Sequence, residues 1–308
     1  MRLSNYNTLK AMKRGISLNN HKAIAQKQIE EEIRKDGIVH LYHYTSIPVL
    51  FGILKKKELW WGNTATMNDR AEIQDFIQCL HHALDSSVLP GKREEFDTFF
   101  ADLTSKIPEN YPFAMSFSKN KDDAAQWERY ADNAQGVCIE FNRAKLRELF
   151  FFQPVVPGEV GYDFDVKSHE HYSILSDYFH NGNALKEFGS LAELASNILV
   201  TASMHKHKSF SSENEYRLAT LSSKMDGYFS IPCSKVEMKA IGHDIKKYLI
   251  INYEELGKKE NVDFTDLFES IIIGPKSTQL PENLADFCKE CGFERLSASI
   301  TVSDCPLR

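Results

Sequence analysis

Two short stretches of the chain hold residues whose types and spacing suit chemistry on a sugar. In SFSSENEYRLA, residues 209–219, Glu213, Glu215 and Arg217 recur at every second position. If 213–219 is extended, these three share one strand face, and Tyr216 and Leu218 point to the other. Two aligned carboxylates suit a reaction in which positive charge develops on a sugar carbon. One stabilises the oxocarbenium-like centre while the other handles a proton or a hydroxyl. Arg217 is placed to hold either carboxylate ionised. The plainer reading is a solvated face with a charge pair. The second stretch, LYHYTS at 41–46, sets an imidazole and two phenols into a segment that reads as a strand entering a helix. Its alternatives are a half-buried strand edge followed by a helix cap, or a His43 that faces a ligand.

The flanking patterns say what must position these residues. HKAIAQKQIEEEIRKDG puts Ile24, Ile29 and Ile33 on one face of a charged helix that Gly37 stops. IVHLYHYT is β-rich, Ser46 is a helix-cap residue and Pro48 fits a first helical turn. Ile47, Leu50, Phe51 and Leu54 form that helix's apolar stripe, and Lys55 to Lys57 suit its negative end. ELWWGN follows as a second strand. Helical patterns cover roughly 70–86 and 93–106, and DDAAQWERYAD is a further helix on which Trp127 and Tyr130 share a face, read as core packing. The region 165–205 is mostly helical and is interrupted by HNGN. Strands are expected near 39–44, 58–62, 111–117, 136–141, 214–220, 270–274 and 295–302. With no repeat or Gly/Ser linker, residues 39–308 read as one α+β domain with helical insertions, preceded by an irregular segment and helix over 1–38.

Composition bounds the function classes. The 308 residues are 42% hydrophobic, enough for a sizeable core, and the net charge of −6 argues against bulk steering towards nucleic acid, leaving only local patches. The six cysteines are scattered, no secretory signal opens the chain, and no apolar run approaches the roughly 20 residues that span a bilayer. A soluble cytoplasmic protein with reduced thiols is expected, with no membrane partner. The single Cys-x-x-Cys at Cys288 and Cys291 has no second pair. The His-x-His pairs His169/His171 and His205/His207 have no third ligand and read as surface helices or loops, so no metal is expected. Phosphate-loop, dinucleotide-fold and nucleophile-elbow motifs are missing. TMNDRAE reads as a turn in which Asn68 or Asp69 caps a helix, and a functional role for Asn68 stays open.

As an ordered set, LYHYTSIPVLFGILKKKELWWGNTATMNDRAE, FAMSFSKNKDDAAQWERYADNAQGVCIEF, KHKSFSSENEYRLA and SIIIGPK resemble the successive blocks of DUF2971, a bacterial family of unknown function, from about Val39 onward. The strand ending in His-x-Thr, the short helix, the second strand and the late glutamate resemble, more distantly, NAD-dependent ADP-ribosyltransferases of the DarT type and tRNA 2′-phosphotransferases. That resemblance implies a split, bent, mixed or antiparallel sheet with helices on its outer faces, and NAD as co-substrate. It implies that His43 bonds a ribose of NAD, that Thr45 helps hold the nicotinamide end, that Ser46 lies with them where the fold meets the NAD riboses, and that Trp61 or Tyr44 stacks on nicotinamide. Asn68 and Arg217 complete the implied cofactor set. Glu215 is the expected catalytic carboxylate and Glu213 its accessory, with the strand alternation turning Tyr42 away into the core.

Three functions follow for comparison. The first is an ADP-ribosyltransferase, an intracellular toxin or anti-phage effector that modifies nucleic acid or protein and has an antitoxin or defence-system partner. The second is a non-catalytic ligand sensor or interaction module on the same fold. The third is a nucleic-acid-processing protein using KHK at 206–208 and Lys55 to Lys57 as a phosphate-binding edge, against which the acidic net charge counts.

Overall fold

The computed structural model describes residues 18–66, 72–106, 111–162, 165–185, 188–221, 230–241 and 244–307. Its centre is a ten-stranded sheet in the order β10-β9-β4-β1-β3-β2-β8-β7, with β6 branching from β3 and β5 pairing to β6. The strands are β1 His40–Thr45, β2 Glu58–Asn63, β3 Phe113–Ser118, β4 Val137–Asn142, β5 Val156–Glu159, β6 Glu215–Thr220, β7 Ser234–Ile241, β8 Asp244–Asn252, β9 Phe268–Ile273 and β10 Ile300–Val302. Among the described strands only β9 and β10 pair in parallel. The α+β class and the mixed sheet are those expected.

The sheet forks at β3. One edge of β3 pairs with β6 along its whole length, from Phe113 opposite Thr220 to Ser118 opposite Glu215. The other edge is shared. β2 takes Phe113 and Ala114, whereas β1 takes only Ser118, opposite Tyr42. Ser116 lies between, paired to neither strand on that edge. In its place the His43 imidazole Nδ1 meets the Ser116 carbonyl oxygen at 3.0 Å, so a side chain satisfies a backbone acceptor that the fork would leave open.

The alternation of each strand divides the apolar residues between two faces. Leu41, Phe117, Phe141, Tyr216 and Leu218 fall on the main core, with Leu50, Ile53 and Leu54 of helix α2 (Ile47–Lys56) packed against them. On the other face the small Ala114 and Ala219 admit four helices whose aromatic stripes form a second core. These are α3 (Glu72–Asp85), α4 (Arg93–Lys106), α7 (Glu170–Phe179) and α8 (Leu191–Ala202). Between α4 and α7, in chain order, come α5 (Ala124–Tyr130) and α6 (Arg143–Phe150); α9 (Tyr253–Glu260), α10 (Pro281–Glu290) and α11 (Glu294–Ser297) complete the series. A third, small cluster joins Tyr42 and Tyr44 to Trp127 and Cys138.

Helix α1 (Leu18–Asp36) is held to this body rather than trailing from it. The fully buried Arg143 of α6 grips Asp36 through two bonds of 2.6 and 2.7 Å, and Arg147 grips Glu32 at 2.8 and 2.9 Å. These are bidentate pairs, the strongest geometry available to a guanidinium. Gly37 ends α1 at φ +70, where its N–H reaches Ile33 O.

The structure departs from the expected elements in four places. ERLSASITVS is not one strand but the short helix α11 followed by β10. Strands β5, β7 and β8 were not expected at all. VPGE carries Pro and Gly, which weaken a strand pattern, and SKVEMKAI mixes lysines with apolar residues on a sheet edge. Of the paired histidines, His207 is exposed at the cap of a 3-10 turn, as expected, but the other three are not surface features. His171 is fully buried with Nε2 2.7 Å from Asn197 Oδ1, His169 stacks on it at 5.0 Å, and His205 lies flat on Phe76 at 5.1 Å. Finally, Glu213 is not on a strand, as described next. Among the described residues no helix is long and apolar enough to cross a membrane.

Candidate ligand cleft at the fork of the sheet

A cleft of about 670 Å³ opens at the fork, within the range of small-molecule sites. Its walls come from the start of the chain (β1, the beginning of α2 and β2), from β3 and α5, and from β6 with the turn that precedes it. His43, Tyr44, Thr45, Ser46, Glu213, Glu215 and Arg217 all line it. The two stretches singled out in the sequence, some 170 positions apart, therefore meet at one place.

On the β1 side, His43 stands edge-on to Phe117 and Phe141 at 5.9 and 6.4 Å. Burial pulls its pKa below the ordinary value, against the raising effect of the Ser116 bond. A carbonyl only accepts, so Nδ1 carries the proton and Nε2 is left as an acceptor for a hydroxyl. The alternation holds along β1, with a twist. It is His43 that shares the main-core face with Leu41, while Tyr42 and Tyr44 share the opposite face in the Trp127 cluster. Tyr44 is committed to that cluster: its ring is T-shaped on Trp127 at 5.0 Å, and its hydroxyl donates to Asn120 O and accepts from Asp123 N, both at 2.9 Å.

On the β6 side the strand begins at Glu215, not Glu213. Glu213 ends a 3-10 turn over Lys208–Glu213, and Asn214, left-handed at φ 46, makes the corner. Asn tolerates that conformation better than other non-glycine residues. The corner does not separate the carboxylates, because Lys206 bridges them: its Nζ lies 2.6 Å from Glu213 Oε2 and 2.8 Å from Glu215 Oε2. Arg217 Nε donates to Glu215 Oε1 at 2.6 Å, and its Nη1 donates to Ser203 O. Burial alone would raise the pKa of Glu215, but Arg217 and Lys206 outweigh it and hold the carboxyl at about 2. Tyr130 donates to Glu213 Oε1 at 2.6 Å, with Arg129 Nη1 at 3.6 Å from the same oxygen.

Several of these residues were missed by sequence reasoning. Lys206 sits in an apolar and His-rich run, with nothing local to mark it as a partner of residues 7 and 9 positions on. The i, i+3 spacing of Trp127 and Tyr130 predicts core packing for both; Trp127 is indeed fully buried, but the Tyr130 hydroxyl reaches Glu213. The tryptophan assignment is corrected. Trp61 is fully buried in the main core, 5.2 Å from the Phe150 ring, and it is Trp60, one position earlier on β2, that lines the cleft with Tyr248 and Lys246 of β8. Alternation decides this: β2 buries Leu59, Trp61 and Asn63. Asn68 lies outside the described residues. Because Trp61 and Trp127 are sequestered, a ligand entering the cleft should change the emission of Trp60 alone. Trp60→Phe should remove that signal while leaving affinity measured by calorimetry within a few-fold; a signal that survives would put the ligand elsewhere.

Fold and cleft together define an α+β protein with a split mixed sheet and a cleft lined by charged residues at the split. A family model described as "Protein of unknown function (DUF2971)" matches residues 126–218, which supports the family resemblance over the part of the chain carrying Tyr130, Lys206, Glu213, Glu215 and Arg217. No curated protein and no solved structure gives a significant match to the chain.

Proposed function

We propose that the cleft binds NAD and that the chain transfers ADP-ribose to a nucleophile on nucleic acid or protein. One observation supports this above the others: the strand carrying His43 and the strand carrying Glu215 approach a single cleft from opposite sides of β3. In the proposed reaction the glycosidic C–N bond of NAD breaks, and its electron pair leaves with nicotinamide. Glu215, held ionised, opposes the charge that develops on the ribose carbon. His43 Nε2 accepts from a ribose hydroxyl, Thr45 and Ser46 lie along the cofactor, and Trp60 takes the stacking role first given to Trp61. The acceptor then forms the new bond and gives its proton to Glu213. Freeing Glu215 Oε2 for substrate requires Lys206 to settle on Glu213 alone. The toxin or anti-phage setting goes with this chemistry and stands or falls with it.

A second reading, a ligand sensor without turnover, is favoured by one observation. Every carboxylate oxygen of Glu213 and Glu215 already has a cationic or phenolic partner within 2.8 Å. The nucleic-acid-edge reading loses ground, since Lys206 is buried in the carboxylate bridge and Lys55 pairs with Glu290 far along α2. Incubating the purified chain with NAD and mixed RNA, DNA and protein, and following free nicotinamide, separates the two. Release supports the transferase; saturable NAD binding with no release under any mixture supports the sensor.

A further inference from the structure

We propose that the N-terminus of α2 is an oxyanion site within the cleft, taking the phosphate or diphosphate of a phosphorylated ligand. It rests on the reading of the cleft as a cofactor site with Thr45 and Ser46 along the ligand, adds which group they hold, and is separate from whether the chain breaks a glycosidic bond.

The first observation is a helix start left open towards the cleft. Ser46 has the extended N-cap conformation, φ −82 and ψ 160, yet its side chain caps nothing. The first ladder bond runs from Leu50 N to Ser46 O at 3.0 Å. Pro48 has no N–H, so the amides of Ile47 and Val49 are the free donors of the first turn, and no acidic residue of that turn answers them. Ser46, Pro48 and Val49 line the cleft. A ten-residue helix adds to these donors the positive end of its dipole.

A second observation is independent of the helix and points to a ligand. Thr45 is only 6% exposed, lines the same cleft, and its hydroxyl makes no hydrogen bond among the described residues. Thr45 and Ser46 thus offer two uncommitted hydroxyls beside two uncommitted amides. The local charge agrees. Arg129, Lys206, Arg217 and Lys246 line the cleft against Asp132, Glu213 and Glu215, a cationic excess in a chain whose net charge is −6. A phosphoryl oxyanion, which needs several convergent donors and tolerates no nearby carboxylate on its own side, fits this end better than a neutral ligand does.

Ser46→Asp is the decisive variant, because an aspartate there supplies the missing cap to the free amides and occupies the site with its own charge. Calorimetry with the full chain would use pyrophosphate, inorganic phosphate, ADP-ribose and adenosine as probes. Pyrophosphate and ADP-ribose should bind the wild type, and Ser46→Asp should weaken both by about tenfold or more while raising the melting temperature. Thr45→Val should weaken both by a smaller factor, and adenosine should be indifferent to either change. Inorganic phosphate binding as tightly as pyrophosphate, with the same loss in Ser46→Asp, supports the site with a single phosphoryl group as its ligand. Unchanged pyrophosphate affinity in a folded Ser46→Asp, or no binding of any phosphorylated probe to the wild type, overturns it. Nicotinamide release is not the readout, so a chain that binds pyrophosphate at α2 but releases no nicotinamide keeps this site and loses only the transferase.

Discussion

Glu215→Gln lowers the stability of the folded chain at neutral pH by about 3 kcal/mol, and the deficit fades as the pH falls towards 2. The carboxylate is 5% exposed and sits between the Lys206 ammonium and the Arg217 guanidinium. These hold its pKa at about 2 against an ordinary 4.5, and each unit of such a shift corresponds to about 1.4 kcal/mol. A carboxylate whose folded-state pKa is depressed stabilises fully above its unfolded value, so the contribution is intact above pH 4.5 and drains away between 4.5 and about 2. Removing the charge strands two buried cations, the situation in which breaking a buried pair is most costly. Lys206 still has Glu213, which keeps the loss to the lower side of that range. Asp36, Glu32 and Glu140 are also held low by their partners and contribute to the wild-type acid transition. The difference between wild type and variant isolates Glu215. Urea unfolding at pH 7, 5 and 3 should show the two stabilities converging; a constant gap across that window would mean the Lys206–Glu215–Arg217 cluster is not the source.

Gly136→Ala costs about 3 kcal/mol or more, and its damage reaches the cleft. Gly136 precedes β4 where the chain leaves α5, and a Cβ there would lie 2.1 Å from Thr45 O and 3.0 Å from Ala131 O. Both neighbours are backbone, so neither can rotate aside, and relief must come from moving the end of β1. That movement displaces Thr45 and Ser46, and it strains the bonds from Gly136 N to Ala131 O and from Gly274 N to Gly136 O. Gly91→Ala is the matching control, since nothing lies within 4 Å of its added Cβ, and surface changes of that kind stay within about 0.5 kcal/mol. Melting curves of the two variants should differ by many degrees. Similar midpoints would show that β1 and β4 yield more readily than this close approach implies.

The parts of the fold legible in the sequence are those governed by local period. The helix over 18–36 with its Gly37 stop, the Ser46-to-Lys57 helix, and the alternating strands at 58–63, 113–118 and 137–142 follow from spacing and caps. The fork was not legible from spacing, because it depends on β1 and β2 sharing one edge of β3, a choice no local pattern records. Nor was the carboxylate bridge. A strand reading of 213–219 put Glu213 on a face with Glu215, and the two carboxylates do meet, but through Asn214's left-handed corner and Lys206 rather than through a common strand. Trp60 and Trp61 show how a one-residue choice reverses a role. Both are tryptophans on the same strand, and only the direction of the pleat sends Trp61 to the core and Trp60 to the cleft.

Steady-state nicotinamide release from NAD by the wild type, Glu215→Gln and His43→Ala, at a temperature where each is folded, tests the cleft most directly. The wild type should release nicotinamide. Glu215→Gln should lose about a hundredfold or more in kcat with NAD affinity little changed, because the amide keeps the shape but not the charge that the ribosyl cation requires. His43→Ala should chiefly raise KM, since in the proposed reaction its Nε2 orients the cofactor and does not face the developing charge. Full activity in Glu215→Gln, or loss of activity in Glu213→Gln alone, would contradict the assignment of the carboxylates, and no release by the wild type with any acceptor would contradict the transferase itself.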